Sequence, residues 1–218
     1  DTRIGLPLTK LKLSQFPGIS LKKYTTLIMV SGSYKQLGED EVKKIKKWVE
    51  EGNTLITIAR GSSWAINSEL INESLVESKK DSNYSRKRYV DSSEYIGREK
   101  IGGSILSIDL DLTHPISFGY NDNSIPVYKN NNVFINKTKD EYSSVAVYSD
   151  GFHIDGYISE LNRKNFIPGA ASIVISKIGA GRVVVFADNP NFRGTWYGTN
   201  KLFLNAIFLG NNISVPTD

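Results

Sequence analysis

Short apolar runs broken by small polar turns set the rhythm of this chain. Thr26 to Val30 (TLIMV) is apolar and ends on Ser31-Gly32-Ser33, which predicts a strand buried on both faces, as parallel strands are. The period then changes. Val42, Ile45, Trp48 and Val49 fall on one stripe, the signature of an amphipathic helix. The start of that segment is acidic (Glu39, Asp40, Glu41) and its later turns are basic (Lys43, Lys44, Lys46, Lys47), which complements the helix dipole. Gly52 supplies a C-terminal stop. Thr54 to Ala59 (TLITIA) repeats the buried-strand pattern, so the three segments predict a strand–helix–strand unit with a right-handed crossover.

Beyond this unit the pattern weakens. From about Ser68 to Lys100 the chain is polar and rich in Ser, Lys, Arg and Asn, and it is expected to leave the sheet as an excursion within a single domain spanning 1–218. Ser104 to Leu110 alternates like a strand. Ile125 to Tyr128 and Asn132 to Ile135 flank an Asn-rich turn and predict a hairpin. Val145 to Tyr148 predicts another short strand, with Gly151-Phe152-His153 as a turn after it. Ala171 to Ser176 and Arg182 to Ala187 are joined by Lys177-Ile178-Gly179-Ala180-Gly181 and pair most simply as an antiparallel hairpin. A last helix is expected over about Gly198 to Leu209, with Leu202, Phe203, Ala206 and Ile207 inward. Alternating strands and helices followed by antiparallel strands define an α/β domain, mostly parallel with an antiparallel extension.

Composition narrows the chemistry. The 218 residues are 39% hydrophobic and 23% charged, the balance of a globular domain. No apolar run reaches the roughly 18 residues of a membrane helix. There is no cysteine, which excludes thiol nucleophiles, disulfides and Cys-ligated zinc. Nucleic-acid binding would need basic charge clustered on one face, and the formal charge of +4 is a mild excess that reads as plain surface charge; Arg86-Lys87-Arg88 reads as a solvated loop. The sequence opens Asp1-Thr2-Arg3, with neither an initiator Met nor a signal-peptide pattern, and reads as an excised or processed piece.

In a parallel sheet, ligands sit at the carboxyl ends of the strands. Those ends are Ser31-Gly32-Ser33, Arg60-Gly61-Ser62-Ser63 and Asp188-Asn189-Pro190-Asn191. With their surroundings they carry a resemblance, through LIMVSGSY (27–34), VKKIKKWVEEGNTLITIA (42–59), GSILSIDLDLTHPISFGY (103–120) and GRVVVFADNPNFRGTWYGTNKLFLNAIFLG (181–210). The chain resembles the class I glutamine amidotransferase-like fold, a flavodoxin-like three-layer sandwich. More closely, it is similar to the domain that follows the catalytic domain in bacterial zinc carboxypeptidase-like proteins. These segments cover under half of the chain, and the last is the most specific. The resemblance implies an upstream zinc carboxypeptidase-like domain as partner, and export to the periplasm or the cell exterior.

An active amidotransferase of this fold uses a Cys on a sharp strand-to-helix turn and a late His followed by Pro and an acidic residue. Here the turn offers Ser62 and Ser63, the His position holds Asn189, Pro190 is kept, and the acidic position holds Asn191. Asn does not titrate and cannot act as a general base. The zinc-peptidase pairing His-x-x-Glu is absent at both His114 and His153. No cofactor and no metal site are expected, since Asp109, Asp111 and His114 read as a solvent-facing strand end. Asp188 and Arg193, with Phe192, Trp196 and Tyr197 beside them, complete a degenerate edge. There Ser62 and Ser63 are expected to cap a helix, Trp64, Trp196 and the excursion to fill the old pocket, and Arg193 to bond neighbouring carbonyls or a carboxylate. The leading reading is a non-catalytic accessory domain, a pseudoenzyme. The alternatives are a sugar- or peptide-binding module built on Arg193 and its aromatic neighbours, and a serine-dependent hydrolase using Ser62 or Ser63.

Overall fold

A computed structural model describes residues 5–77, 88–97, 101–140 and 142–214. Its elements in chain order are β1 (Thr26–Met29), α1 (Glu39–Glu50), β2 (Thr54–Ile58), α2 (Arg60–Asn67), α3 (Ser92–Gly97), β3 (Ile101–Leu110), β4 (Ser124–Lys129), β5 (Ile135–Asn136), β6 (Ser144–Ile158), α4 (Glu160–Asn165), β7 (Ala170–Ile178), β8 (Gly181–Phe186) and α5 (Tyr197–Leu209). The strands form one eight-stranded sheet ordered β1-β2-β8-β7-β6-β3-β4, with β5 pairing β7 off that path.

The strand–helix–strand start forms over the expected segments, but β1 is an edge strand, half-buried over Thr26 to Ile28 instead of covered on both faces, and Val30 beyond it is exposed. β2 has every residue buried because β1 and β8 flank it in parallel and helices lie on both faces. Ile45, Trp48 and Val49 of α1 pack with Leu55, Val183 and Val185 on one face of the sheet. On the other face, Leu202 and Ala206 of α5 join Ile56, Ile108, Ile173 and Val184. This is the expected three-layer α/β sandwich. Its antiparallel extension is the larger part: β1–β2 and β2–β8 are parallel, and the remaining five pairings are antiparallel.

Three expectations change. The segments proposed as a hairpin around the Asn-rich turn do not pair with each other. β4 pairs β3 at the sheet edge, and β5 pairs the start of β7. In the connection between them, Lys129 Nζ donates to the Val133 carbonyl at 2.8 Å. The turn expected at Gly151-Phe152-His153 is instead part of the 15-residue β6, where register shifts against β3 break the alternation that reveals strands. The excursion is not wholly outside the core either. Leu70 and Ile71 are buried, and Leu75 bridges Ile135. Residues 78–87 and 98–100 of the excursion, including Arg86 and Lys87, lie outside the described residues; Arg88 is exposed and ion-pairs with Asp91.

The N-terminal segment gave no periodic signal, yet it packs on α1. The Trp48 indole donates to the Leu21 and Tyr24 carbonyls, at 3.1 Å each, and Phe16 and Leu21 are buried.

Candidate functional site

The sharp turn between β2 and α2 turns on one residue. Ala59 has φ 49° and ψ −111°, a backbone conformation that costs roughly 1–3 kcal/mol outside glycine. Its N–H donates to the Phe186 carbonyl at 2.8 Å, which fixes the elbow beside the end of β8. Two residues on, a Cβ at Gly61 would lie 2.6 Å from the Met29 carbonyl oxygen, so only glycine lets α2 start this close to β1. The apex of the turn is therefore a methyl group. This corrects the placement of Ser62 and Ser63 at the apex.

Both serines sit inside α2. Ser62 is fully buried; its hydroxyl donates to the Phe186 carbonyl at 2.8 Å and lies 3.0 Å from Thr57 Oγ1. It ties the helix to two strands instead of capping it. Ser63 is half-buried, and its hydroxyl lies 3.5 Å from Asn67 Nδ2.

The loop after β8 separates the other candidates. Asp188 points into the core, whereas Asn189 turns back on its own loop, its side-chain oxygen accepting from the Asn191 N–H at 3.0 Å. Asn191 accepts from Asn200 of α5. Arg193 is exposed, in a left-handed conformation (φ 52°), with its guanidinium 5.4 Å from the Phe192 ring centre. The expected Arg193 contact to a carbonyl or carboxylate is thus replaced by a ring contact, because the left-handed turn swings the side chain outward. The Trp196 indole donates to the Pro126 carbonyl at 3.2 Å, at the β4 edge. Trp64 packs on Tyr34, ring centres 5.5 Å apart. Neither tryptophan fills the space beside Asp188.

That space holds a buried polar network which sequence reading missed. Asp188 Oδ1 accepts from Lys129 Nζ at 2.9 Å, and Oδ2 accepts from the Tyr148 hydroxyl at 2.6 Å and the Ser172 hydroxyl at 3.2 Å. Lys129 is 0% exposed, and its ammonium also donates to the Val133 carbonyl and to Tyr148 Oη at 3.0 Å. All three ammonium protons are spent. Burial pushes the Lys129 amine down from its ordinary value, while the Asp188 charge pulls it back up. Burial, and then the Asp188 charge, hold the Tyr148 phenol well above the usual tyrosine range, so it stays a donor. The remaining void beside Ser172, Asp188, Asn189, Pro190 and Thr199 is about 10 Å³, room for one water at most. One signal was available: Ile125, Val127 and Lys129 share a strand face, which aims the lysine inward.

The Asp109, Asp111 and His114 side chains bond separately. Asp109 accepts from Ser149 at 2.6 Å, Asp111 from the Thr113 hydroxyl at 2.6 Å, and His114 Nδ1 from the Ile116 N–H at 3.1 Å. Among the described residues no group of three or more His, Cys, Asp or Glu side chains could hold a metal ion. Among them, too, no helix is long and apolar enough to cross a membrane.

Comparison with known proteins places the architecture. No family model matches the chain, and no curated protein matches it. Solved structures do. PurLQS from Thermotoga maritima aligns at a TM-score of 0.53 with 15% identity, over 87% of this chain and 81% of that one. A ThuA-like protein from Parabacteroides merdae aligns at 0.53 with 12% identity, over 92% and 75%. A GMP synthase-like protein from Thermoplasma acidophilum aligns at 0.51 with 14% identity, over 88% and 75%. The domain has an amidotransferase-like fold; at these identities the likeness extends to the fold alone.

Proposed function

We propose that this chain is a non-catalytic accessory domain on an amidotransferase-like scaffold, attached to a zinc carboxypeptidase-like enzyme and exported with it from a bacterial cell. The observation that carries the non-catalytic half is Ala59. The strained elbow is retained, and the residue on it has no nucleophilic atom. Support comes from both flanks. The nearest buried hydroxyl, Ser62, spends its proton on the Phe186 carbonyl, and Asp188 is consumed by Lys129 and Tyr148. The carboxypeptidase association rests on the sequence resemblance, above all on residues 181–210. The domain's work is then packing against its enzyme or governing access of substrate.

Two measurements test this. The chain is incubated with glutamine, and separately with a fluorophosphonate probe followed by peptide mapping. Neither ammonia release above a buffer blank nor a labelled serine is expected, and labelling of Ser62 or Ser63, or turnover abolished by Ser62→Ala, sinks the non-catalytic reading. The native gene product is then assayed for zinc-dependent release of C-terminal residues, with and without residues 1–218. A native product lacking a His-x-x-Glu pair and any such activity removes the carboxypeptidase association.

A further inference from the structure

The edge beside Asp188 is closed, and a polar concavity lies on a different face. Strand alternation aims Leu106, Ile108 and Leu110 of β3 into the core. It leaves Ile105, Ser107 and Asp109 on the outer face. Register with β4 sets Ser124 opposite Asp109, Pro126 opposite Ser107 and Tyr128 opposite Ile105. The outer face of the antiparallel extension therefore carries two zones along one strand. At one end Ser107, Asp109, Ser124, Lys137, Ser149 and Asp150 line a depression of about 510 Å³, within the roughly 300–1,000 Å³ of small-molecule sites. At the other end Tyr128 stacks on Phe192, ring centres 3.7 Å apart, with Trp196 at 6.2 Å from Tyr128. Successive residues rise about 3.3 Å along a strand, so the rings begin roughly one sugar residue beyond the hydroxyls.

The hydroxyls form an ordered row. Ser149 Oγ donates to Asp109 Oδ1 at 2.6 Å, the length of a charge-assisted bond. Ser149 Oγ also lies 3.2 Å from Ser107 Oγ, which lies 2.7 Å from Ser124 Oγ. A hydroxyl carries one proton. Ser149 faces both Asp109 and Ser107 as a donor and has one proton for the two, while between Ser107 and Ser124 either hydroxyl can donate. The exposed end of the row, Ser124, offers a hydroxyl that accepts from or donates to an incoming sugar hydroxyl, while Lys137 supplies a donor. Two carboxylates and one ammonium leave this zone net negative, which disfavours acidic ligands.

We propose that this face binds a neutral oligosaccharide, one sugar bonded along the Ser124–Ser107–Ser149–Asp109 row and the next resting against the Trp196, Phe192 and Tyr128 rings. Sugar hydroxyls, which both donate and accept, match a row of hydroxyls ending on a carboxylate, and pyranose faces match aromatic rings. The site is separate from the closed edge at Asp188 and borders Arg193, whose guanidinium lies 5.4 Å from the Phe192 ring centre; it stands whether or not a carboxypeptidase domain precedes this one.

The test is calorimetric titration of the chain with cellohexaose, mannohexaose, xylohexaose and chitohexaose, with polygalacturonate as the acidic comparison. Binding of at least one neutral hexaose is expected. Asp109→Asn and Ser107→Val should each weaken it roughly ten- to a hundredfold, and Trp196→Ala at least about tenfold, with the melting temperature of Asp109→Asn close to that of the parent chain. Silence with all four neutral hexaoses overturns the proposal. So does binding that Asp109→Asn and Ser107→Val both leave intact, and so does a preference for polygalacturonate. None of these outcomes touches the non-catalytic reading, which stands on Ala59.

Discussion

Replacing Asp188 by alanine removes the acceptor on which a fully buried lysine depends. Lys129 is 0% exposed and the Asp188 side chain 6%, so water cannot take over the lost contact. Breaking a buried pair by deleting one partner costs about 3–5 kcal/mol, and the Tyr148 and Ser172 hydroxyls lose their acceptor as well. Against a total stability of roughly 5–15 kcal/mol, that is a large share. At about 2–4 °C per kcal/mol for a chain of this size, the melting temperature should fall by roughly 6–20 °C. Urea unfolding followed by circular dichroism measures the loss directly. The pH dependence supplies a second readout. Burial alone lowers Lys129, and in Asp188→Ala the opposing pull of the carboxylate is gone. A lowered amine binds its proton more weakly folded than unfolded, so the variant gains stability as pH rises toward the unfolded lysine value of about 10.4. Its deficit should therefore be smaller at pH 9.5 than at pH 6. Adding Lys129→Met removes the stranded charge and should recover part of the loss, since buried pairs are often replaceable by apolar groups at little cost. A loss under about 1 kcal/mol for Asp188→Ala, or a double variant no better than the sum of the two single changes, would refute this reasoning.

Three further outcomes follow from the site and its surroundings. Gly61→Ala puts a Cβ 2.6 Å from the Met29 carbonyl and should cost about 1–3 kcal/mol in urea unfolding; a neutral result would mean that α2 can shift away from β1. Ala59→Gly relieves the φ 49° strain and should stabilise by up to about 1 kcal/mol once the glycine's greater unfolded-state entropy is subtracted, a gain that thermal melting would show. Glu73 is raised chiefly by burial, with the Asp140 charge adding to it and the Ser176 hydrogen bond opposing. A raised carboxyl contributes stability below its unfolded value of about 4.3, and that contribution is lost as pH rises through the folded value. Glu73→Gln should therefore melt higher than the parent chain at pH 7 and match it near pH 4; equal melting at both would count against the assignment.

Local pattern alone determined the parallel half of this protein and what it lacks. TLITIA holds a strand because a continuous apolar run is stable when covered on both faces, and TLIM of the first run pairs beside it as a half-buried edge strand. The α1 stripe and the β7–β8 hairpin follow from period and turn residues in the same way. The absence of cysteine was equally plain from composition, whereas reading Asn189 and Asn191 as standing in for a base and a carboxylate rests on the resemblance. What only the tertiary structure decided was partnership. Ala59 looks like the last residue of an apolar run until β8 and β1 hold it in a strained turn. Ser62 reads as a helix-start hydroxyl until the Phe186 carbonyl, 124 residues away in sequence, claims it. Lys129, Tyr148 and Ser172 come from three strands and Asp188 from the loop after β8, and their spacing carries no motif. Secondary structure is set by neighbours a few residues apart, so the chain displays it. A buried network is set by which strands the crossings bring together, and here the chain after β4 carries β5 away from its expected hairpin partner to the start of β7.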